Sequence, residues 1–525
     1  MNEPKPAGAF AAPAPYKADG YAWYVLFILV LVYILNFVDR QILSILSEDI
    51  KRDLGLTDAD LGFLYGTAFG VFYALFGIPL GRLADNWHRI RLMTVGLSLW
   101  SLMTALSGFS RSGGELAAAR IGVGVGEATA SPCAYSIISD YFPKQQRATA
   151  LAIYSSGLYL GGGLSLFIGG AVKEGWDRAF AAGGAPLGLV GWQASFMAVG
   201  IPGLLLAMLV FTLREPIRGQ SDGLITASSD APFRDFGNEL VTVIPPLTLI
   251  GAWRRGAKAF TLNLIVASGV AAAAWAMIRL TGKVPQWVAM GVGIYAVYSW
   301  VTALRHRDPP TFKLIWGTPG FLMIMFGYGL IAFAAYAISY WGPVYAIREL
   351  GASAQEAGFW IGSSGALGGF VGVIVGGRVA DWLRSRSPAG RIIVILFGAT
   401  MPAIPMIIAF TAQDLTLFYV LHFPMTALSS CALGASAATA LDLVLPRMRG
   451  TATATFFIGT TLVGLAMGPY LAGQVSDLTG SLQTGVLSVL AVMPISIICL
   501  ITAYRIVPKA EATLLDRARA AGEVI

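Results

Sequence analysis

Residues 54–85 read LGLTDADLGFLYGTAFGVFYALFGIPLGRLAD, and residues 350–381 read LGASAQEAGFWIGSSGALGGFVGVIVGGRVAD. The second stretch follows the first at a constant offset of 296 residues, with no gap. Gly55/Gly351, Gly62/Gly358, Phe63/Phe359, Gly66/Gly362, Gly81/Gly377, Arg82/Arg378 and Asp85/Asp381 coincide. Thr57 with Asp60, and Ser353 with Glu356, both have the spacing of a capping box, so a helix is expected to start at the same point in each copy. A second pair agrees with one slip in register: PKQQRATA at 143–150 and PRMRGTA at 446–452. Each copy continues as an apolar run long enough to cross a bilayer as a helix. Two copies built from such spans argue for a duplicated membrane bundle and against a solenoid.

The rest of the chain fits that frame. Of its 525 residues 56% are hydrophobic and 12% charged, against about 25% charged in soluble domains. Spans are expected at 23–46, 61–83, 90–109, 115–139, 148–172 and 193–213, then at 316–341, 356–379, 391–410, 415–439, 449–472 and 484–505. Two more apolar stretches, within 260–304, lie between the groups. The expectation is an all-α polytopic protein of about 14 transmembrane helices. A six-helix bundle over 23–213 and another over 316–505 are flanked by tails 1–22 and 506–525 and joined by a linker, 214–315, that carries the inserted hairpin. Repeated stretches share sidedness, so the halves are parallel repeats about an axis along the membrane normal. The inserted pair of spans preserves that orientation.

The net charge is +7. Lys and Arg crowd the loops on the side of both termini, which is the positive-inside pattern and places both termini in the cytoplasm. That distribution is topological and does not indicate nucleic acid. Cys133, Cys431 and Cys499 fall within spans and imply no disulfide framework. His88, His306 and His422 lack metal-ligand spacing, so neither metal nor cofactor is expected. The absence of HExxH, GxSxG and GxxxxGK[ST] patterns argues against a lipid enzyme and against direct ATP drive. No filter-like loop suggests a channel.

Gly81-Arg82-Leu83-Ala84-Asp85-Asn86-Trp87-His88-Arg89-Ile90-Arg91 joins the second and third spans. It resembles the signature loop of the major facilitator superfamily, from whose usual form it departs at Asn86 and His88. Gly377, Arg378 and Asp381 form its copy in the second half. Gly81 is expected to allow close helix approach, and Asp85 to meet a helix N-terminus. Arg89 and Arg91 are expected to pair with Asp85 and hold the cytoplasmic side shut. Within the superfamily, the Asn36-Phe37-Val38-Asp39-Arg40 run is similar to the Spinster family. So are Arg120-Ile121-Gly122-Val123-Gly124-Val125-Gly126-Glu127, Ser139–Pro143 and Arg147–Ala150. The resemblance implies a major facilitator fold and a bacterial inner-membrane transporter, active as a monomer. Eukaryotic members of that family carry sphingosine-1-phosphate or lysophospholipids.

Asp39, Arg40, Arg120 and Glu127 lie inside otherwise apolar spans. A charge there costs at least ~2.5–3.5 kcal/mol, so such residues mark a polar cavity or a partner. Arg120 and Glu127 are seven residues apart and share a helix face, about 10 Å apart along the axis. Asp39 and Arg40 diverge by roughly 100°. One arrangement pairs Arg40 with Glu127 and leaves Asp39 near Arg120. Exchanging such partners during alternating access makes a carboxylate's proton affinity depend on conformation. Glu127 and Asp39 are therefore the expected proton-sensitive groups, with Arg40 and Arg120 tuning them or holding an anionic headgroup. Asn36, Tyr328, Tyr336, Tyr340 and His422 are further cavity candidates, giving the second half an aromatic wall. The expected function is proton-coupled secondary transport of an amphipathic, lipid-like substrate. Alternatives are a drug or organic-anion exporter, or a non-transporting membrane sensor.

Overall fold

A computed structural model describes residues 18–222 and 231–523. Residues 1–17 of the expected N-terminal tail, the stretch 223–230 of the linker and the last two residues lie outside it. Among the described residues the chain is helical, with no strand.

Gly20–Ile45 (α1) is capped by Asp19, whose carboxylate accepts the Ala22 N–H. A short helix, Ser47–Leu54 (α2), follows. The first copy of the repeat is α3, Asp58–Asn86, and begins directly after its N-cap Thr57, which forms a capping box with Asp60. Then come Arg89–Ser107 (α4), Gly113–Glu127 (α5), Ala130–Tyr141 (α6), Lys144–Ala179 (α7) and Gly191–Phe211 (α8). Next are Pro232–Val243 (α9), Leu247–Arg254 (α10), Ala257–Thr281 (α11), Val284–Arg307 (α12) and Pro309–Ile315 (α13). The second half holds Pro319–Arg348 (α14) and Ala354–Arg384 (α15). Gly390–Thr411 (α16), Leu415–Leu441 (α17), Pro446–Thr479 (α18) and Leu482–Ala512 (α19) complete it. Leu514–Ala520 (α20) closes the chain. The second copy starts at Ala354, capped by Ser353, at the same offset from its counterpart as the sequences themselves.

Thirteen of these helices are long and apolar enough to cross a membrane. The fourteenth expected span, 115–139, is present as α5 and α6, broken at Ala128–Thr129. The cause is local. Three glycines, Gly122, Gly124 and Gly126, weaken the helix, and the Thr129 hydroxyl donates to the Gly126 carbonyl at 2.8 Å. Gly126 is also fixed from outside: a Cβ there would come within 2.8 Å of the Trp100 backbone in α4. The break falls immediately after Glu127.

Small residues set the packing, as expected where lipid is as apolar as the side chains. On α7, Gly161 and Gly169 face α1, while Gly163 and Gly170 face α15 across the two halves. A Cβ on Gly163 would lie 2.6 Å from the Gly362 carbonyl oxygen. On the other flank, Gly62 of α3 meets Pro469 and Tyr470 of α18. Both helices are π-helical at this crossing, over Phe63–Thr67 and Thr460–Leu465. Thr67 donates to the Ala466 carbonyl across it at 2.7 Å.

The linker contains more structure than its composition suggests. α9 lies along α3, and α10 folds back on it, so that a Cβ on Gly251 would meet the Val241 carbonyl oxygen at 3.0 Å. Trp253 and Arg254 at its end are exposed. Burial opposes ionisation of Asp308, at the start of α13, yet hydrogen bonds from Arg447 and Thr311 hold its carboxyl below the ordinary range.

Candidate functional site

The buried charges of α1 and α5 meet at the centre of the first half. Arg40 donates to Glu127 at 2.8 Å, and both side chains are almost wholly buried. Asn36, one turn earlier on the same face of α1, accepts a longer bond from Arg40 at 3.4 Å. The guanidinium lies over the rings of Phe37, Phe69 and Tyr73 at 4.7, 4.5 and 5.2 Å. Planar, weakly hydrated arginine suits such stacking far better than lysine.

Arg120 reaches the same helix turn, but not the Asp39 side chain. It donates to the Asp39 main-chain oxygen at 3.1 Å and sits 5.5 Å from the Phe69 ring. Among the described residues the fully buried Asp39 carboxylate has no hydrogen-bond partner, nor do Arg120 Nε and Nη2 or the second oxygen of Glu127. Trp100 and Thr104 of α4 flank Asp39 without reaching hydrogen-bond geometry. Two acids and two arginines thus share one buried cluster with only one ion pair among them. Burying charge without partners is expensive, so the cluster holds polar groups able to take a proton or a ligand.

The next turn of α1 and the start of α2 carry a polar stripe that sequence reading passed over: Gln41, Ser44 and Ser47, three residues apart. Gln41 donates to the Ser339 carbonyl at 2.7 Å and accepts from Tyr65 at 2.7 Å. Ser44 donates to the Tyr340 carbonyl. Ser47 shares a 2.7 Å bond with the Tyr340 hydroxyl. The stripe ties α1 to α14 immediately beside the buried charges, towards the side opposite the termini.

That distal side is sealed. Arg348 of α14 binds Asp58 at 2.7 Å and Glu48 at 2.6 Å. Ser476 donates to Asp58 at 2.7 Å, and Asp477 accepts the N–H groups of Asp58 and Ala59 at 2.9 Å each. The last contact places a carboxylate on the N-terminus of α3, where negative charge is favoured. Trp341 donates to the Pro469 carbonyl at 2.9 Å beneath this network. Among the described residues, the only ion pairs that join the two six-helix halves directly are those of Arg348. None of the pairings of Arg348, Glu48, Asp58 and Asp477 was anticipated, because loop charges in a sequence look alike.

The signature loop behaves differently from expectation. Arg89 is buried and pairs with Asp140 and with Glu215, the latter at 2.7 Å. Asp85 is exposed and makes no ion pair or hydrogen bond within the described chain; Arg91 is exposed and reaches neither. Nothing lies within 4 Å of a Cβ at Gly81 or Gly377, so neither glycine mediates a close approach here. Arg89 is taken up by Asp140 and Glu215 of its own half, which leaves Asp85 without it. In the second half Asp381 pairs with Arg391 at 3.0 Å, and Arg378 is exposed.

The aromatic candidates face inward. Tyr328 stacks on Phe456 at 5.3 Å and Tyr340 on Tyr65 at 4.4 Å. Tyr336 is half-buried. His422, without a visible partner in the sequence, shares a 2.8 Å hydrogen bond with Ser364. Among the described residues no group of acids, histidines and cysteines could hold a metal ion.

Comparison with known proteins agrees with this fold. The family model described as Major Facilitator Superfamily matches residues 29–469. An MFS-type efflux pump of Mycolicibacterium smegmatis is 28% identical over 87% of this chain and 85% of its own length. Protein spinster homolog 1 of Xenopus laevis is 26% identical over 87% of this chain and 74% of its own. A solved bacterial homologue of the human lysosomal transporter Spinster, in an inward-facing and occupied conformation, superposes with a TM-score of 0.66. It is 24% identical, and the match covers 95% of this chain and 98% of that one. With its duplicated bundle and its central charges, the chain belongs to the Major Facilitator Superfamily of membrane transporters.

Proposed function

We propose that the protein is a proton-coupled secondary transporter of an amphipathic, lipid-like substrate, working by alternating access. The observation that carries this reading is the Arg40–Glu127 pair, buried beside an unpaired Asp39 and directly beneath the inter-half seal. By the positive-inside rule the side of the termini is the cytoplasm. The seal is then periplasmic, and the state described faces the cytoplasm. Closing that side would bring the signature loop of one half towards the other and give Asp85 a partner.

In this reading α1 links two events. Its Asn36/Arg40 face holds Glu127, and its Gln41/Ser44 face grips α14. A proton on Glu127 removes the charge that holds Arg40. Arg40 is then free to turn to an anionic headgroup or to Asp39, and α1 is free to shift against α14. The aromatic wall of α14 suits an acyl or aryl body.

The test is flux in proteoliposomes with labelled lysophosphatidylcholine and sphingosine-1-phosphate, beside a panel of cationic drugs and organic anions. Saturable lysolipid flux supports the reading. Flux of panel compounds alone favours a drug or organic-anion exporter, to which the similarity to a mycobacterial efflux pump points.

A further inference from the structure

The inserted hairpin stands at one of the two seams between the halves. Gly293 of α12 faces both of them: a Cβ there would lie 3.1 Å from Val71 of α3 and 3.4 Å from Leu462 of α18. Met290 and Trp300 of α12 form one buried cluster with Val71 and Leu75 of α3 and Ile458 and Leu462 of α18. α12 therefore covers the α3–α18 seam from the bilayer side. The other seam, between α7 and α15, has no such cover. No further helix packs over it among the described residues, and Ile153, Leu160 and Val375 beside it are exposed.

Halves that rock cannot both keep a helix that touches them both. The anchors of α12 are unequal. At its distal end Lys283 donates to Thr57 at 2.6 Å and to Asp60 at 2.9 Å, both at the start of α3. At its other end Arg307 pairs with Glu239 of α9, and α9 lies on α3, with Phe233 5.1 Å from Trp87. Contact with α18 carries no charge: it is apolar and aromatic, with Trp287 edge-on to Tyr470 at 5.9 Å and the Tyr470 hydroxyl beside Thr281 and Trp287, apart from a weak 3.6 Å approach of Gln286 to the Met467 sulfur. An uncharged face can slide at little cost, whereas charged hydrogen bonds hold register. Arg447 of α18 does bind Asp308 at 2.9 Å. Asp308 is at once the C-cap residue of α12 and the N-cap of α13, so this bond at the helix junction is the one charged contact that must give way as α12 slides.

We propose that α12 is a travelling wall: it moves with the first half, slides over α18, and keeps the α3–α18 seam closed to the bilayer throughout the cycle. Amphiphiles then reach the cavity from the membrane only along the α7–α15 seam. This rests on the alternating-access reading above.

The test uses disulfide formation in a background with Cys133, Cys431 and Cys499 replaced. Gly293→Cys is paired with Val71→Cys or with Leu462→Cys, with Arg348 intact and as Arg348→Ala. Opening of the distal seal is read independently from reaction of Ser44→Cys with a membrane-impermeant maleimide. With the seal open, the 71–293 yield is expected to hold and the 293–462 yield to fall at least threefold. The reverse pattern, or two unchanged yields, overturns the proposal. A nitroxide on Leu75→Cys supplies a second measurement that needs no cross-link. Its collision rate with oxygen is expected to stay low in both states, and a rise to the rate of a nitroxide on Val375→Cys would show that the wall leaks. If Ser44→Cys never reacts in properly folded protein, the rocking motion itself fails, and the travelling wall falls with it.

Discussion

At the scale of residues, the account rests on charges placed where the membrane forbids them. Asp39, Arg40, Arg120 and Glu127 were legible because each interrupts an apolar run, and their helical spacing anticipated the Arg40–Glu127 pair. Which atoms Arg120 touches was not legible. Its bond goes to a main-chain oxygen, and no side-chain pattern encodes that. Glu127→Ala leaves Arg40 buried without its counter-charge, which costs about 3–5 kcal/mol by analogy with other broken buried pairs. Replacing both partners, as Arg40→Met with Glu127→Leu, should recover most of that loss. Thermal unfolding in detergent checks this, and a double variant as unstable as the sum of the two singles would deny that the charges act as a pair. The stripe Gln41, Ser44 and Ser47 was visible in principle as a polar residue every third position. It was missed because hydroxyls in membrane helices commonly bond their own backbone, whereas here Gln41 and Ser44 cross to α14.

At the scale of elements, helix existence followed from apolar length, and helix starts from caps. The observed onset of α3 and α15 at Asp58 and Ala354 is the capping chemistry of Thr57 and Ser353 realised twice. The break between α5 and α6 did not show in the sequence, since glycines that weaken a helix and glycines that let helices approach look the same. Only the contact of Gly126 with Trp100 separates the two roles. The helices of the linker were hidden for another reason: α9 and α10 are too short to span, and their faces are fixed by α3. Close approach gives a direct prediction. Gly163→Leu must displace the Gly362 carbonyl, 2.6 Å from the added Cβ, and should drive α7 and α15 apart on the distal side. Ser44→Cys would then react with an impermeant maleimide several-fold faster than in the parent. An unchanged rate would mean that this glycine contact does not hold the seal.

At the scale of the whole molecule, the charged bonds that join the two halves are gathered on the distal side. The repeat at offset 296 announced the halves but not the state, because a sequence is common to every state of a transporter. The partners of the signature loop are settled within one half. Arg89 is satisfied within its own half by Asp140 and Glu215, while Asp85 stays exposed until the halves meet. Arg348→Ala removes the ion pairs to Glu48 and Asp58 and leaves Asp58 with Lys51 and Ser476. The balance should shift towards the distally open state, read as a longer distance between spin labels on α2 and the distal end of α15. A distance unchanged in well-folded protein would place the seal in the helix packing and not in the charges.

The central claim is that protonation of Glu127 is coupled to this motion. It is tested most directly by flux of labelled lysophosphatidylcholine into proteoliposomes, with and without an imposed pH gradient, for the parent and for Glu127→Gln. The account predicts flux that the gradient stimulates in the parent, and flux that no longer responds to it in the variant. Parent flux indifferent to the gradient, or a variant that responds as the parent does, would contradict it.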